Sequence, residues 1–474
     1  MSAPEVTSLD RSPDEATAAR TFTIDRSSLP VPGTARPFAF PAIEKSTLPN
    51  GLRVWTVRHP QVPVIAFDLL VRRGASADPP GKDGLAAMTA DMLDEGTGDR
   101  SAIAMHEALA RLGAQFDTDI GSDATSVSVT VLTRFAGPAL MLLADVVARP
   151  ALRDDDFARV RQLRLHRLTQ LRDMPAVVAD RAFLKLIYGP HPYGHSPIGT
   201  EAALASMTVD DVRAFHAAAV RPSVATLIAV GDCDHATVVQ LATDAFGDWS
   251  DGRVDPAVTE GAIPSAAALN IIPRPKAPQS ELRIGHVAVP RDTPDYHALL
   301  LANTILGGQF VSRINLNLRE DKGFTYGART AFEFRRLPGP FVLQVSVQTT
   351  ATARAIEESI GEIAGIRGPR PVTAEELALG TAALTRGYAR NFETAEQIAR
   401  AVIQLALFDL PDDYFAQFVP AVSRVTAGDV SRVMEHHVDP ARLTTLIVGD
   451  LDAIGADLVA LGLGEPVVLP ADAF

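Results

Sequence analysis

Histidine pairs are the first residues in this chain that suggest chemistry, because two imidazoles close together can bind a metal ion. The sequence contains 11 histidines but lacks the H-E-x-x-H pattern, which places two histidines on one face of a helix. His191 and His195 have a spacing that suits a metal ion, yet Pro192 and Gly194 between them predict a loop packed under a sheet. The single cysteine, Cys233, follows a predicted strand and is expected to be buried rather than reactive.

The segment of residues 84–97 is a second candidate, since it reads as a short helix closed by Gly96. Its glycine at the start and Gly-Thr at the end resemble the active-site helix of the insulinase/pitrilysin family of peptidases, which includes the mitochondrial processing peptidases. In that family the helix carries the inverted motif H-x-x-E-H. Its two histidines share a helical face and bind zinc, while the glutamate activates a zinc-bound water. Ala87, Ala90 and Asp91 stand at these three positions here.

Arg167 stands where that family, at a fixed spacing beyond the position of Asp91, has its third zinc ligand, a glutamate on a long helix. It places a fixed positive charge where a carboxylate is needed. His166 points about 100° away around the helix, so it is not an obvious substitute. Alanine has no donor atom for a metal ion, and one aspartate alone is a poor zinc site. The resemblance therefore implies that this chain has lost its zinc site, binds no cofactor and does not cleave peptides by itself.

A second signature of the same family is retained further along the chain. Residues 306–310 contain Gly-Gly, and residues 318–327 contain Leu-Arg-Glu followed by a tyrosine. Arg319 and Tyr326 match in type and spacing an arginine and a tyrosine that hydrogen-bond the substrate carbonyl and the oxyanion in family members. A permanently charged guanidinium and a phenolic donor suit a developing negative charge. The structural alternative is that Arg319 pairs with a neighbouring carboxylate at the surface and Tyr326 packs in a strand.

Some bacterial members of this family divide the site between two chains, one with the zinc motif and one with the arginine and tyrosine. The resemblance implies that this chain is the second kind, a zinc-less subunit of a heterodimer that hydrolyses unfolded peptides. Arg319 and Tyr326 then act in trans, next to a homologous partner that carries H-x-x-E-H and the zinc ion. The main alternative is a non-enzymatic peptide-binding or assembly subunit, like the core proteins of the respiratory cytochrome complex. A third is hydrolysis at an unrecognised site.

An internal repeat predicts two homologous domains. In both copies a helix with an aspartate near its start runs to a proline, and a β-branched strand then ends in Gly-Asp. The matching segments, which all share one constant offset, are 208–212 and 426–430, Pro222 and Pro440, and 229–232 and 447–450. In each half, β-rich segments flank amphipathic helices. The predicted fold class is therefore α+β: two homologous sandwich domains, each a mostly antiparallel sheet covered by helices on one face.

Composition suggests the domain boundaries. Residues 1–44 are rich in Pro, Ser, Thr and Ala, which predicts a disordered or extended leader. Residues 45–250 are predicted to form an N-terminal peptidase-like domain with the degenerate zinc site. Residues 251–265, with several Asp, Gly and Pro, form the predicted linker. Residues 266–474 form the predicted C-terminal peptidase-like domain with the Arg/Tyr pair.

Local patterns predict three elements of the first domain. Residues 64–73 and 125–132 read as strands, and the second alternates Val with Ser or Thr, as in a sheet with one solvated face. A helix is predicted from about residue 154 to Arg172, with aspartates at its start and an arginine at its end. The apolar residues at helical spacing are Phe157, Val160, Leu168 and Leu171.

The composition of the whole chain disfavours several classes of partner. The 474 residues carry 44 basic and 57 acidic side chains, and the net charge of −13 argues against nucleic acid or an anionic membrane. A hydrophobic content of 47% is ordinary for a soluble globular protein, and no apolar run is long enough to span a membrane. The N-terminus lacks the features of a signal peptide. The expected location is therefore cytoplasmic, or periplasmic if a signal peptide has been removed.

Overall fold

The computed structural model describes Ser27, Gly33, Gly252 and residues 38–250 and 268–470. Most of the predicted leader, 1–44, and nearly all of the predicted linker, 251–265, lie outside the described residues. The first strand begins at Ile43, so it crosses the boundary that composition suggested between leader and domain. We call residues 38–250 the first half and residues 268–470 the second half.

The first half contains both strands and helices. Its strands are β1 (Ile43–Thr47), β2 (Arg53–Arg58), β3 (Val64–Val71), β4 (Gly96–Thr97), β5 (Arg100–Ser101), β6 (Gln115–Ile120), β7 (Thr125–Leu132) and β8 (Ala225–Gly231). Its helices are α1 (Leu85–Leu93), α2 (Ala102–Arg111), α3 (Ala136–Ala148), α4 (Asp154–Arg172), α5 (Pro175–Tyr188), α6 (Glu201–Ser206), α7 (Val209–Ala219) and α8 (His235–Phe246).

The second half follows a similar order. Its strands are β9 (Leu269–Pro273), β10 (Gln279–Val287), β11 (Ala328–Phe332), β12 (Pro340–Gln348), β13 (Thr444–Gly449) and β14 (Val467–Val468). Its helices are α9 (Tyr296–Asn303), α10 (Arg313–Asn315), α11 (Thr352–Ile366), α12 (Ala374–Thr385), α13 (Ala395–Phe408), α14 (Tyr414–Ser423), α15 (Ala427–His437) and α16 (Leu451–Ala460).

The three elements predicted from local patterns are confirmed. Strand β7 has its predicted bounds, and its valines are buried while its Ser and Thr residues are half-buried. Strand β3 ends at Val71, two residues before the predicted end. Helix α4 spans Asp154–Arg172 and buries all four apolar residues of the predicted stripe. Arg164 is buried among them, which the apolar pattern did not indicate.

The two halves contain sheets of the same strand order. That order is β1-β2-β8-β3-β7-β6 in the first half and, in the same direction, β14-β9-β13-β10-β12-β11 in the second. In this order, five strands of the first half have counterparts in the second: β2, β8, β3, β7 and β6 correspond to β9, β13, β10, β12 and β11. The β2–β8, β9–β13 and β9–β14 pairs are parallel, and the other described pairs in these two sheets are antiparallel. The predicted fold class is confirmed.

The sequence repeat corresponds to one helix–strand unit in each half. Helices α7 and α15 have the same length, and their starts are separated by the offset of the sequence repeat. Both start with a capping box: the Thr208 hydroxyl accepts a hydrogen bond from the N–H of Asp211, whose carboxylate accepts one from the N–H of Thr208. Thr426 and Asp429 make the same pair of bonds. Since these bonds satisfy helix donors that otherwise lack partners, both units retain the same Thr and Asp.

The two halves exchange one helix each. One face of each sheet is buried under helices of its own half, such as α3 and α8 in the first half and α11 in the second. The opposite face receives a helix from the other half: α5 packs on β10 and β13, and α13 packs on β3 and β8. In the α5 contact, Phe183 and Ile187 share an apolar cluster with Val342 and Leu446. Because burial of apolar surface is the main stabilising contribution, this exchange holds the halves together.

Candidate functional site

Helix α1 contains the three positions at which the sequence predicts a degenerate zinc site. It begins after Gly84, whose φ of 94° lies in the left-handed region, and it ends at Leu93. Gly96 belongs to strand β4, so the prediction that it closes this helix is wrong. The carboxylate of Asp78 accepts hydrogen bonds from the backbone N–H groups of Gly84 and Ala86, both at 2.6 Å. This carboxylate caps the first turn of the helix, a role that sequence analysis did not assign to it.

The three degenerate positions do not provide a set of zinc ligands. Ala87 and Ala90 are buried and have only a methyl group to offer. The side chain of Asp91 is 46% exposed and is held by Arg164, whose Nη1 lies 2.5 Å from Oδ2 of the aspartate. The one carboxylate at these positions is therefore already paired with a cation.

The cation that pairs with Asp91 is Arg164, one helical turn before Arg167 in α4. The side chain of Arg164 is only 9% exposed. Its Nη2 donates hydrogen bonds to the carbonyl oxygens of Pro197 and Ile198, at 3.0 and 3.2 Å. Arg167, the residue that the sequence places at the third ligand position, is exposed. A buried guanidinium thus crosses the space between α1 and α4, which in the resembled family lies beside the metal.

A cavity of about 680 Å³ opens beside this ion pair. Ala90, Asp91, Arg164 and Arg167 line it, with part of the edge strand β6, whereas Ala87 does not. Zinc in proteins needs three or four N, O or S ligands. At the family's ligand positions the wall offers one paired carboxylate, Asp91, and one guanidinium, Arg167, so these residues do not fit a zinc ion. Across the residues that the structure describes, no three His, Cys, Asp or Glu side chains are grouped to hold a metal ion.

Arg319 and Tyr326 lie in an irregular segment of the second half. Two π-helical turns, Thr304–Gly308 and Leu316–Asp321, flank the short helix α10. Such turns are rare and occur often at functional sites. Arg319 belongs to the second turn, and Tyr326 follows five residues after that turn ends. Both side chains line one cavity of about 500 Å³, so the structure brings the predicted pair together.

Hydrogen bonds of the neighbouring Thr325 hold the backbone around Tyr326, while the ring of Tyr326 projects into solvent. The ring is 96% exposed, so the structural alternative, in which it packs in a strand, is wrong. The hydroxyl of Thr325 donates to the carbonyl of Ser346 at 2.6 Å and accepts from the N–H of Gly327 at 3.1 Å. In the described part of the chain, the phenol itself has no hydrogen-bond partner.

Arg319 makes its contacts within its own segment. Its Nε and Nη2 both donate to Oε1 of Glu320, at 2.9 and 2.6 Å. Its guanidinium carbon lies 3.3 Å from the centre of the Phe310 ring, a cation–π contact. The ring of Phe310 is itself 70% exposed. The pairing of Arg319 with a neighbouring carboxylate, given above as the structural alternative, is therefore present.

Asn315 is a residue of this site that sequence analysis missed. It is buried, and its amide group donates to the carbonyl oxygens of Gln309 and Ala328, at 3.1 and 2.8 Å. Its amide oxygen accepts from the N–H of Ala328 at 2.9 Å. These bonds tie the segment of Phe310 to the start of β11, next to Tyr326. A lone asparagine in a polar segment gives no sequence signal for such a role.

The segment around His191 and His195 is a loop, as predicted. His191 is buried, and its Nδ1 accepts a hydrogen bond from the N–H of Tyr193 at 3.0 Å. Nε2 of His195 lies 3.0 Å from the carboxylate of Asp78. Burial lowers the pKa of His195, but the bond to this carboxylate outweighs burial, and the net shift is upward. Cys233 is half-buried, and burial raises the pKa of its thiol to about 11, so the thiolate is scarce at neutral pH.

Family models match most of the described chain. A model described as insulinase, peptidase family M16, matches residues 53–201. A model described as the peptidase M16 inactive domain matches residues 206–384. The chain belongs to the insulinase family of peptidases. Membership of this family, which we predicted from the zinc helix and the Arg/Tyr segment, is thus confirmed.

Bacterial zinc proteases are among the curated relatives of this chain. An uncharacterized zinc protease of Mycobacterium leprae is 27% identical over 386 residues, which cover 76% of this chain and 86% of that protein. An uncharacterized zinc protease of Mycobacterium tuberculosis is 28% identical over 308 residues, covering 64% of this chain and 70% of that protein. Their names describe zinc proteases, whereas the corresponding helix of this chain lacks a zinc ligand set.

Two solved structures have the same fold as this chain. A peptidase M16 inactive domain from Pseudomonas fluorescens has a TM-score of 0.82 and 25% identity, covering 86% of this chain and 98% of that chain. A protease from Helicobacter pylori has a TM-score of 0.80 at 19% identity, covering 86% of this chain and 99% of that chain, which shows the fold alone.

None of the described helices is long and apolar enough to cross a membrane.

Proposed function

We propose that this chain is the zinc-less subunit of a heterodimeric insulinase-type peptidase that hydrolyses unfolded peptides. Arg319 and Tyr326 bind the substrate carbonyl and the oxyanion in trans, next to a partner that supplies zinc and the general base. The observation that carries the proposal is the 96% exposure of Tyr326. A ring so exposed contributes little to folding, while its backbone is fixed, so its phenol is available to a second molecule.

The degenerate zinc site supports the same division of labour. With Ala87 and Ala90 in place of donors, and Asp91 paired to Arg164, this chain lacks the groups that activate water in the family. We propose that the chain binds no zinc of its own. Metal and base must then come from another chain, since an Arg/Tyr pair alone stabilises charge without supplying a nucleophile.

The surroundings of Tyr326 suit an extended peptide. Strand β11, which begins two residues after Tyr326, lies at the edge of its sheet. An edge strand presents unpaired N–H and C=O groups, to which an extended peptide can add as a further strand. Ala328 and Arg329 of this strand line the same cavity as the Arg/Tyr pair. A peptide on β11 therefore runs past both proposed oxyanion donors.

The contacts of Arg319 are compatible with this role. Glu320 holds the Nε and Nη2 groups of the guanidinium, and Nη1 has no hydrogen-bond partner in the described part of the chain. The carboxylate and the Phe310 ring restrict the guanidinium, which lowers the entropy lost when Nη1 binds a carbonyl oxygen. Glu320 thus orients the donor that we assign to substrate.

A second function, peptide binding or assembly without catalysis, is favoured by one observation. The Glu320 carboxylate and the Phe310 ring already satisfy Arg319 without any substrate. In that case Tyr326 and Phe310 serve as exposed anchors for a partner or a peptide, as aromatic residues often do at interfaces. Only the catalytic function predicts slower turnover when the phenol oxygen of Tyr326 is removed.

The test mixes the purified chain with a homologous zinc-bearing subunit from the same organism and measures cleavage of an unstructured peptide. Tyr326→Phe is expected to lower kcat by a factor of roughly 10²–10³ in complexes of unchanged size, the usual effect of losing one oxyanion donor. Arg319→Ala is expected to lower kcat and raise KM, because it also removes a contact to the ground-state carbonyl. Arg386→Ala, at an exposed arginine that lines neither cavity of the candidate site, is the matched control.

Two results contradict the proposal. Wild-type turnover by both variants in intact complexes removes the catalytic role in trans and leaves the assembly function. One tightly bound zinc per chain by elemental analysis, with chelator-sensitive cleavage by the chain alone, removes the zinc-less assignment.

A further inference from the structure

A cavity of about 820 Å³ lies between the two halves, apart from the candidate active site. The segment after β3, helix α7 and Tyr193 line it from the first half, and Arg336 and Leu337 line it from the second. It shares no lining residue with the cavities beside Asp91 and Tyr326. Its volume is in the usual range for small-ligand sites, roughly 300–1,000 Å³.

Part of the lining of this cavity is apolar. Its apolar side chains come from the start of α1, from one face of α7 and from the β11–β12 connection: Leu85, Ala214, Phe215, Ala218 and Leu337. Since Leu337 belongs to the second half and the others to the first, an apolar ligand group here contacts both halves. Such a wall favours a ligand with a sizeable hydrophobic side chain.

Three carboxylates also line the cavity, and each is bonded within the protein. Asp78 caps helix α1 through two backbone N–H groups. Asp123 accepts a hydrogen bond from the backbone N–H of Arg336 at 2.9 Å. Asp211 accepts one from Nζ of Lys82 at 2.8 Å. Each of the three carboxylates therefore already has a hydrogen-bond donor within the protein, and Asp211 also has a cationic partner.

The four cationic side chains of the cavity are not all compensated. They are Arg72, Arg73, Lys82 and Arg336. Lys82 pairs with Asp211, and Arg72 pairs with both carboxylate oxygens of Asp409 at 2.9 Å. The guanidinium of Arg336 is exposed, and in the described part of the chain it has no hydrogen-bond or ion-pair partner. The cavity thus presents one guanidinium, that of Arg336, which has no partner in the described part of the chain.

A serine hydroxyl also lines this space. Ser76 is only 7% exposed and lines the cavity. Among the residues that the structure describes, its hydroxyl has no hydrogen-bond partner. Ser76 therefore offers a donor and an acceptor to whatever occupies the cavity.

We propose that this cavity binds the C-terminal residue of a peptide, with its free carboxylate on Arg336 and its apolar side chain against Phe215 and Leu337. A guanidinium is the preferred partner of a carboxylate, with which it forms two parallel hydrogen bonds. The hydroxyl of Ser76 binds the polar backbone next to that carboxylate. A fatty acid shares the carboxylate but has no peptide N–H or C=O with which to bond the hydroxyl of Ser76. The proposal does not depend on the partner subunit, because all of these groups belong to this chain.

The test is isothermal titration of the purified chain with the tripeptide Ala-Ala-Phe as the free acid and as the C-terminal amide. The free acid is expected to bind about 10–100-fold more tightly, because the amide loses the charge-assisted bonds to Arg336. Arg336→Gln is expected to weaken binding of the acid about tenfold or more and to leave binding of the amide unchanged. Ser76→Ala is expected to weaken both a fewfold. Arg386→Gln, which changes an exposed arginine outside this cavity, is expected to change neither.

Three outcomes overturn the proposal. Equal affinities for acid and amide remove the carboxylate from recognition. If Arg336→Gln and Arg386→Gln weaken binding of the free acid equally, the preference for the acid reflects general attraction by positive charge. Competition by octanoate at the same concentration as the tripeptide assigns the cavity to apolar carboxylates rather than to peptide ends.

Discussion

Removal of the Arg164 side chain is expected to destabilise the protein. The family resemblance drew attention to Arg167 instead, because Arg167 stands at the position of the third zinc ligand. The side chain of Arg164 is 9% exposed and bonds to Asp91 and to the carbonyl oxygens of Pro197 and Ile198. Arg167 is exposed and has no hydrogen-bond or ion-pair partner among the described residues. The two arginines lie on one helix, one turn apart, so each is the matched control for the other.

The expected magnitude follows from these contacts. A hydrogen bond from a charged donor contributes about 1.5–3 kcal/mol, and Arg164 makes two to backbone carbonyls. Its pair with Asp91 adds at most about 1 kcal/mol, because that carboxylate is 46% exposed and well screened. After partial rehydration of the freed groups, Arg164→Ala should cost roughly 3–4 kcal/mol of unfolding free energy. Arg167→Ala should stay within about 0.5 kcal/mol, as surface changes usually do.

The Asp91 partner gives an independent measure of the same ion pair. Asp91→Ala leaves Arg164 buried with its two carbonyl acceptors, so we expect a smaller cost of about 1–2 kcal/mol. The double variant should cost less than the sum of the two single changes, with a coupling of about 1 kcal/mol. Arg164→Met keeps most of the apolar stem, which separates loss of packing from loss of charge.

The assay is urea unfolding followed by circular dichroism at neutral pH and about 25 °C, with the slope checked for each variant. The reasoning is refuted if Arg167→Ala costs as much as Arg164→Ala. It is also refuted if the costs of Asp91→Ala and Arg164→Ala add fully, because then the two side chains do not interact.

Two further predictions concern the fold. Burial raises the pKa of Asp68, on the sheet face beneath α13, to about 6, so its protonated form is favoured in the folded state. Stability should therefore fall as pH rises from about 4 to 6, by roughly 2–3 kcal/mol relative to Asp68→Asn, as measured by urea unfolding at each pH; parallel profiles would contradict this. Thr426→Ala and Thr208→Ala should each cost about 1 kcal/mol, since each removes an equivalent helix cap. Thermal unfolding that detects only one of them would show that the repeats are not equivalent.

The absence of zinc ligands at the family's positions could be predicted from the sequence. The contact that Arg164 makes there could not. Which side chains stand at 87, 90 and 91 is a matter of residue type, and an alanine lacks a donor atom in any fold. The pairing of Asp91 with Arg164 depends on how α4 rotates against α1. One signal was present: Arg164 lies four residues from both Val160 and Leu168, on the buried stripe of its helix. A charged residue on such a stripe usually marks a buried pair.

The duplicated architecture was predicted from spacing, but the exchange of helices was not. Two Thr-Asp caps, separated by the same offset as the strands that follow them, indicate two copies of one unit. Apolar periodicity in α5 and α13 shows only that each helix has a buried face. It does not say which sheet that face covers, because the contact joins residues far apart in the chain.

The sequence by itself determined the family, the two-fold repeat, the missing zinc ligands and the candidate pair Arg319 and Tyr326, because all of these depend on residue type and spacing. Only the tertiary structure decided that Tyr326 projects into solvent, that Arg319 rests on Phe310 and Glu320, and that Asn315 ties their segment to β11. These features depend on the direction of each side chain relative to distant backbone. That direction is set by packing, which no local pattern encodes.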